Sequence, residues 1–155
     1  MIYLLIGGAP SVGKTEAITR IAELLRRINF TPIAGTFPPT QKDFRVVMEG
    51  IDKNGKRIRI LINSATDNEQ LISKLKSFYD ENDSVDFVIS SVRDVFGIRD
   101  ALFSIMNIRA NDTVIEIPLG KVRTGVNRPV ALEWYQNRLD NLIALTLSNS
   151  PFEII

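Results

Sequence analysis

The stretch Ile2-Tyr3-Leu4-Leu5-Ile6-Gly7-Gly8-Ala9-Pro10-Ser11-Val12-Gly13-Lys14-Thr15 decides the fold. Residues 2–6 form a short apolar run without alternation, the pattern of a strand covered on both faces. Glycines follow at once. Ala17, Ile18, Ile21, Ala22, Leu24, Leu25 and Ile28 then recur at helical spacing, which predicts a helix over 14–28 with Asn29 as its stop. The unit is therefore strand, glycine loop, helix.

Further along, Gly35, Pro38 and Pro39 argue against any regular element in 31–43. Asn54-Gly55 between two β-prone runs predicts a hairpin over 44–63. Arg57 and Arg59 alternate with Ile58, Ile60 and Ile62, so one face of that strand is wetter. Thr66-x-x-Glu69 has the form of a capping box ahead of a helix carrying Leu71, Ile72, Leu75, Phe78 and Tyr79. Residues 85–90 predict a strand. Asp94 is the expected cap of a helix with Ile98, Ala101, Leu102, Ile105 and Met106. Residues 114–117 predict a last strand, and a basic, glycine-containing loop runs from Gly120 to Arg128. Pro129 suits the first turn of a final helix bearing Leu132, Tyr135, Leu139, Leu142 and Ile143. Trp134 and Tyr135 read as core or dimer contacts. The apolar end from Phe152 to Ile155 either packs back onto the domain or serves a partner.

Strands and helices thus alternate, which predicts an α/β protein with a mainly parallel sheet, one antiparallel hairpin strand and helices on both faces. A length of 155 residues suits one domain over 1–155 with a proper core. Nineteen basic residues against 18 acidic ones give a net charge of +1, so no general attraction to nucleic acid or an anionic membrane is expected. There is no cysteine and no histidine. Disulfides, Cys/His metal sites, imidazole acid–base chemistry and a Ser-His-Asp triad are excluded. No run approaches a membrane span, and the first residues lack the basic start of a leader, so the cytoplasm is the expected compartment.

Gly8, Ala9, Pro10, Ser11, Val12, Gly13, Lys14 and Thr15 match G-x-x-x-x-G-K-[ST]. Gly8 and Gly13 permit backbone angles and close approach that a side chain obstructs. Amide N–H groups of such a loop turn inward on phosphate oxygens, at the positive end of the following helix. Lys14 then reaches the β- and γ-phosphates, and the Thr15 hydroxyl is placed to coordinate Mg²⁺. The pattern resembles the Walker A motif of P-loop NTPases. That resemblance implies the three-layer fold of the superfamily, with nucleotide-binding roles for residues 8–15 and a metal role for Thr15.

P-loop enzymes usually end a neighbouring strand in an aspartate that holds the Mg²⁺ shell. Neither expected strand does so here, and Asp67 is the preferred substitute, the alternative being a helix cap; Asp94 is second to it. The hairpin is similar to that of small GTPases, and Thr36 or Thr40 would then complete the metal shell. The glycine of their switch and the [NT]-K-x-D guanine sequence are missing, so ATP is expected rather than GTP. Small P-loop kinases offer the other comparison. Arg93, beyond a strand end, is a candidate catalytic group beside Lys14, and Arg99 follows on the next helix. Lys121 and Arg123, with Arg128, are candidates for nucleotide contact. Asp43 is a candidate for orienting an acceptor hydroxyl, in a segment, 36–43, with the composition of a lid. The expected function is ATP-dependent phosphoryl transfer to a small molecule or nucleotide, or ATP hydrolysis. The alternative is a GTPase-like switch or binding module with little turnover. Expected partners are the triphosphate, a small acceptor and a protein; neither membrane nor nucleic acid is expected.

Overall fold

In the computed structural model, residues 1–9, 12–37, 43–95, 97–123 and 125–155 are described. The strands are β1 (Ile2–Gly8), β2 (Thr31–Gly35), β3 (Arg45–Ile51), β4 (Arg57–Asn63), β5 (Phe87–Arg93) and β6 (Thr113–Pro118). The helices are α1 (Lys14–Arg27), α2 (Glu69–Glu81), α3 (Ile98–Ile105) and α4 (Arg128–Ser148). The strands form one six-stranded sheet in the order β2-β3-β4-β5-β1-β6. β4, β5, β1 and β6 run parallel, and β3 alone opposes its neighbours on both sides.

The apolar run at the start of the chain fits this position. β1 is paired on both edges, with Leu4 level with Ile89 on one side and Ile115 on the other. Alternate residues face opposite layers. Leu4 and Ile6 pack with Ile60 and Ile62 under Ile18, Ile21, Leu139 and Ile143, so α1 and α4 cover one face. Tyr3 and Leu5 pack with Leu61 and Val88 under Ile72, Leu75 and Leu102, so α2 and α3 cover the other. Both faces of β1 are therefore dry, and no polar alternation is left to see.

Several sequence expectations are corrected. Residues 31–35 form a strand rather than a turn, because Pro32 lies at the rim of the sheet, where a missing N–H does not break the ladder. β5 does not stop at Ser90. It continues through Ser91 and Val92 to Arg93, with both serines buried. Asp94 is not a helix cap; the N-cap of α3 is Gly97. The capping box at Thr66 is not formed either: the N-cap of α2 is Asn68, whose Oδ1 accepts from Leu71 N at 2.9 Å. On α4, the buried stripe is Leu139, Ile143 and Leu147, while Leu142 and Trp134 point outward at 47% and 60% exposure. The chain end does pack back: Phe152 and Ile154 are buried, and the Phe152 ring centroid is 5.8 Å from that of Phe87. Among the described residues no helix is long and apolar enough to cross a membrane.

Tyr3 is buried beneath α3, and its phenol is pushed up from 10.0 to about 12 by burial, with Tyr79 and Asp112 adding repulsion. The folded chain thus keeps a proton that an unfolded tyrosine has lost. Stability from this group is complete below pH 10 and falls as pH rises towards about 12. Denaturant titrations across that interval should show Tyr3→Phe losing stability less steeply than the parent chain. Parallel curves would show that Tyr3 ionises no differently once unfolded.

Candidate functional site

The connections leaving β1 and β5 run to opposite faces of the sheet, β1 to α1 and β5 to α3. Adjacent strands that part in this way open a crevice at their carboxyl ends, the usual ligand position in open α/β sheets. Gly8 and Arg93, the last residues of these strands, are level with one another, and Asp94 N donates to Gly8 O at 2.9 Å.

Gly8 has φ +154°, and a Cβ there would lie 2.8 Å from Val12 Cγ2. Gly13 is the N-cap of α1 with φ +91°, a left-handed conformation that glycine adopts without strain. Among the described residues no side chain caps this helix. The first intrahelical bond there is donated by Ala17 N to Gly13 O, so the amides of Lys14, Thr15 and Glu16 lack helical partners. They sit at the positive end of the helix dipole. Pro10 and Ser11 lie outside the described residues.

The Lys14 side chain turns back over this loop. Its Nζ donates to Gly8 O at 3.1 Å and Ala9 O at 2.8 Å. Partial burial lowers its pKa; Asp67 opposes this most strongly, Arg93 adds to it, and Asp94 and Glu16 oppose it. The Thr15 hydroxyl forms no hydrogen bond among the described residues, and the Thr15 carbonyl accepts from Thr19 Oγ1. Lys14, Asp67, Arg93 and Asp94 thus gather at the crevice. Arg93 Nη1 donates to Asp67 O at 3.4 Å and lies 3.8 Å from Asp67 Oδ1, while its Nε is buried without a partner among the described residues.

The strand ends beneath these groups are joined by a buried polar network. Asn63 Nδ2 donates to Ser90 Oγ and to Ala65 O, Ser91 Oγ donates to Ser64 O, and Thr66 Oγ1 donates to Ser91 O. All five side chains, Asn63, Ser64, Thr66, Ser90 and Ser91, are buried. Consecutive serines inside an otherwise apolar run were the available signal. Arg99, on the next helix, is anchored: it bonds Glu116 at 2.6 Å and Asp94 at 3.4 Å. Glu116 lies directly over Gly7, where a Cβ would be 2.1 Å from its Oε1.

Lys121 is placed on the other side of the loop. With Val12, Gly13, Glu16, Arg128 and Tyr135 it lines a cavity of about 190 Å³ between α1 and α4, and Tyr135 OH accepts from Gly120 N at 2.7 Å. Arg123 is exposed, is not part of that lining, and forms no ion pair among the described residues. Among the described residues no group of three or more acidic side chains is clustered as a metal site. The oxygens at the crevice are the Thr15 hydroxyl and the single carboxylates of Asp67 and Asp94, a sparse hard-donor set of the kind that suits a largely hydrated Mg²⁺. Comparison with protein-family models, with curated proteins and with solved structures finds no match for the chain.

Because Asn68 caps α2, Asp67 has no capping duty. Asn68→Ala should lower stability by about 1 kcal/mol, whereas Asp67→Asn should leave it within about 0.5 kcal/mol. Chemical denaturation of the two variants side by side is the check, and a larger loss at Asp67 would return that residue to a structural role.

Proposed function

We propose that the chain binds a nucleoside triphosphate, by preference ATP, with Mg²⁺ at the carboxyl end of β1, and that it transfers or hydrolyses the γ-phosphate. One observation carries this reading. The G-x-x-x-x-G-K-T sequence joins a central strand to a helix whose first amides lack partners among the described residues, with Lys14 folded back over the same turn. The similarity of this sequence to the Walker A motif supports assignment to the P-loop NTPases.

In this reading the amides of Lys14, Thr15 and Glu16, which have no intrahelical partners, receive phosphate oxygens, with Gly8 and Gly13 keeping the approach open. Lys14 exchanges its two carbonyl acceptors for the β- and γ-phosphates. Partial burial lowers its pKa, and the charges of Asp67 and Asp94 oppose that lowering. Thr15, with Asp67 and Asp94, would hold the metal, which would supply neutralisation of the charge on the phosphates. Arg93 has a spare buried nitrogen and a weak 3.8 Å pairing with Asp67, so it is released to the γ-phosphate at little cost. Lys121 and Arg123 extend the positive flank beyond β6.

Lys14→Ala removes a charge-assisted contact to two phosphates. It should weaken MgATP binding by about 30- to 100-fold in calorimetry while the far-ultraviolet circular dichroism is retained. Unchanged affinity would overturn the reading. Asp67→Asn and Asp94→Asn, assayed for Mg²⁺-dependent phosphate release, separate the two carboxylates: the one that holds the metal shell should lose turnover and shift its Mg²⁺ requirement upward. If neither does, the metal is held elsewhere.

A further inference from the structure

A second concavity opens at the same edge of the sheet. It has a volume of about 510 Å³ and is lined by Thr36, Asp43, Arg45, Ala65, Leu71 and Phe78. Arg45 begins β3 and is level with Asn63, the last residue of β4. It is therefore three strands from Gly8, roughly 14–15 Å along the edge at the usual strand spacing.

The charge of Arg45 is not compensated. Its Nε donates to Asn63 Oδ1 at 2.9 Å, and its guanidinium carbon stands 5.9 Å from the Phe78 ring centroid. All 18 acidic residues of the chain are among the described residues. None forms an ion pair with Arg45, although Arg20, Arg59, Arg93 and Arg99 each have one. Burial lowers the Arg45 pKa with no carboxylate opposing it. A half-buried guanidinium lining an open cavity without a carboxylate partner leaves a desolvated charge unmatched, and a bound anion supplies the match.

We propose that this cavity binds the anionic group of a small-molecule acceptor, a carboxylate or a phosphate monoester, on the Arg45 guanidinium above Phe78. The anion site stands on its own geometry; its assignment to a phosphoryl acceptor rests on the nucleotide reading above. In that transfer the acceptor hydroxyl oxygen bonds to the γ-phosphorus. The bond from phosphorus to the bridging oxygen breaks, its electron pair leaves with the nucleoside diphosphate, and the hydroxyl proton passes to the Asp43 carboxylate.

The test is an amide NMR titration of the full chain with inorganic phosphate and, separately, with acetate. Saturable shifts at Phe44, Arg45, Leu71 and Phe78 are expected, and whichever anion binds more tightly identifies the acceptor's charged group. Arg45→Gln should weaken this by about tenfold or more, and Lys14→Ala should leave it unchanged. If Arg45→Gln does not fold, Arg45→Lys keeps the charge but loses the planar fork, and should still bind several-fold more weakly. Shifts confined to residues 13–17 and abolished by Lys14→Ala, no saturable response to either anion, or full affinity in the arginine variants would overturn the proposal. Failure of the nucleotide reading is seen separately, as absent MgATP binding with the Arg45 response intact.

Discussion

The pairing of β1 with a parallel neighbour on each side is the constraint from which the rest of the molecule follows. It buries both faces of residues 3–6, fixes where Gly7 and Gly8 leave the sheet, and sets α1 starting at the crevice beside β5. A strand held on one edge only would leave the following loop free to tilt. Held on both, the chain reaches Gly8 with its direction determined, and Asp94 N fastens the Gly8 carbonyl from the side.

Around that turn the charges are arranged in a linked set. Glu116 lies on the glycine before it and bonds Arg99, which reaches Asp94. Asp94 and Asp67 both face Lys14, and Arg93 lies against Asp67. Each of these interactions is part-exposed and weak singly. Their value is positional: they stand on strand ends that the Asn63, Ser64, Thr66, Ser90 and Ser91 network ties together. Removing one member of such a buried network leaves others unpaired, at a cost of about 1–3 kcal/mol.

The layout of the fold was legible in the sequence where periodicity and turn chemistry agreed. The strand at Ile2, the helix at Lys14 and the Asn54-Gly55 hairpin stand where apolar spacing puts them. The sequence misled where a polar residue was buried for a reason lying far away in the chain. Ser90 and Ser91 look like the end of a strand, yet their hydroxyls are satisfied from β4 and its following turn, so β5 runs on and delivers Asp94 directly after it. Thr66 looks like a helix cap, yet its hydroxyl is occupied by Ser91, and Asn68 takes the duty. Of the candidate site, residues 8–15 could be read from their spacing alone. Arg45 could not, because its significance is a missing partner, and only three-dimensional placement reveals that no carboxylate reaches it.

The two rims of the sheet differ in a further property. Pro32 and a register slip interrupt β2 on one side, and Pro118 ends β6 on the other. The β2 margin is therefore a poor template for a foreign strand, whereas residues 113–117 of β6 run without a proline before Pro118. Extension of the sheet is thus hindered on the β2 side and not on the β6 side, so the two rims are unequal in what they can accept.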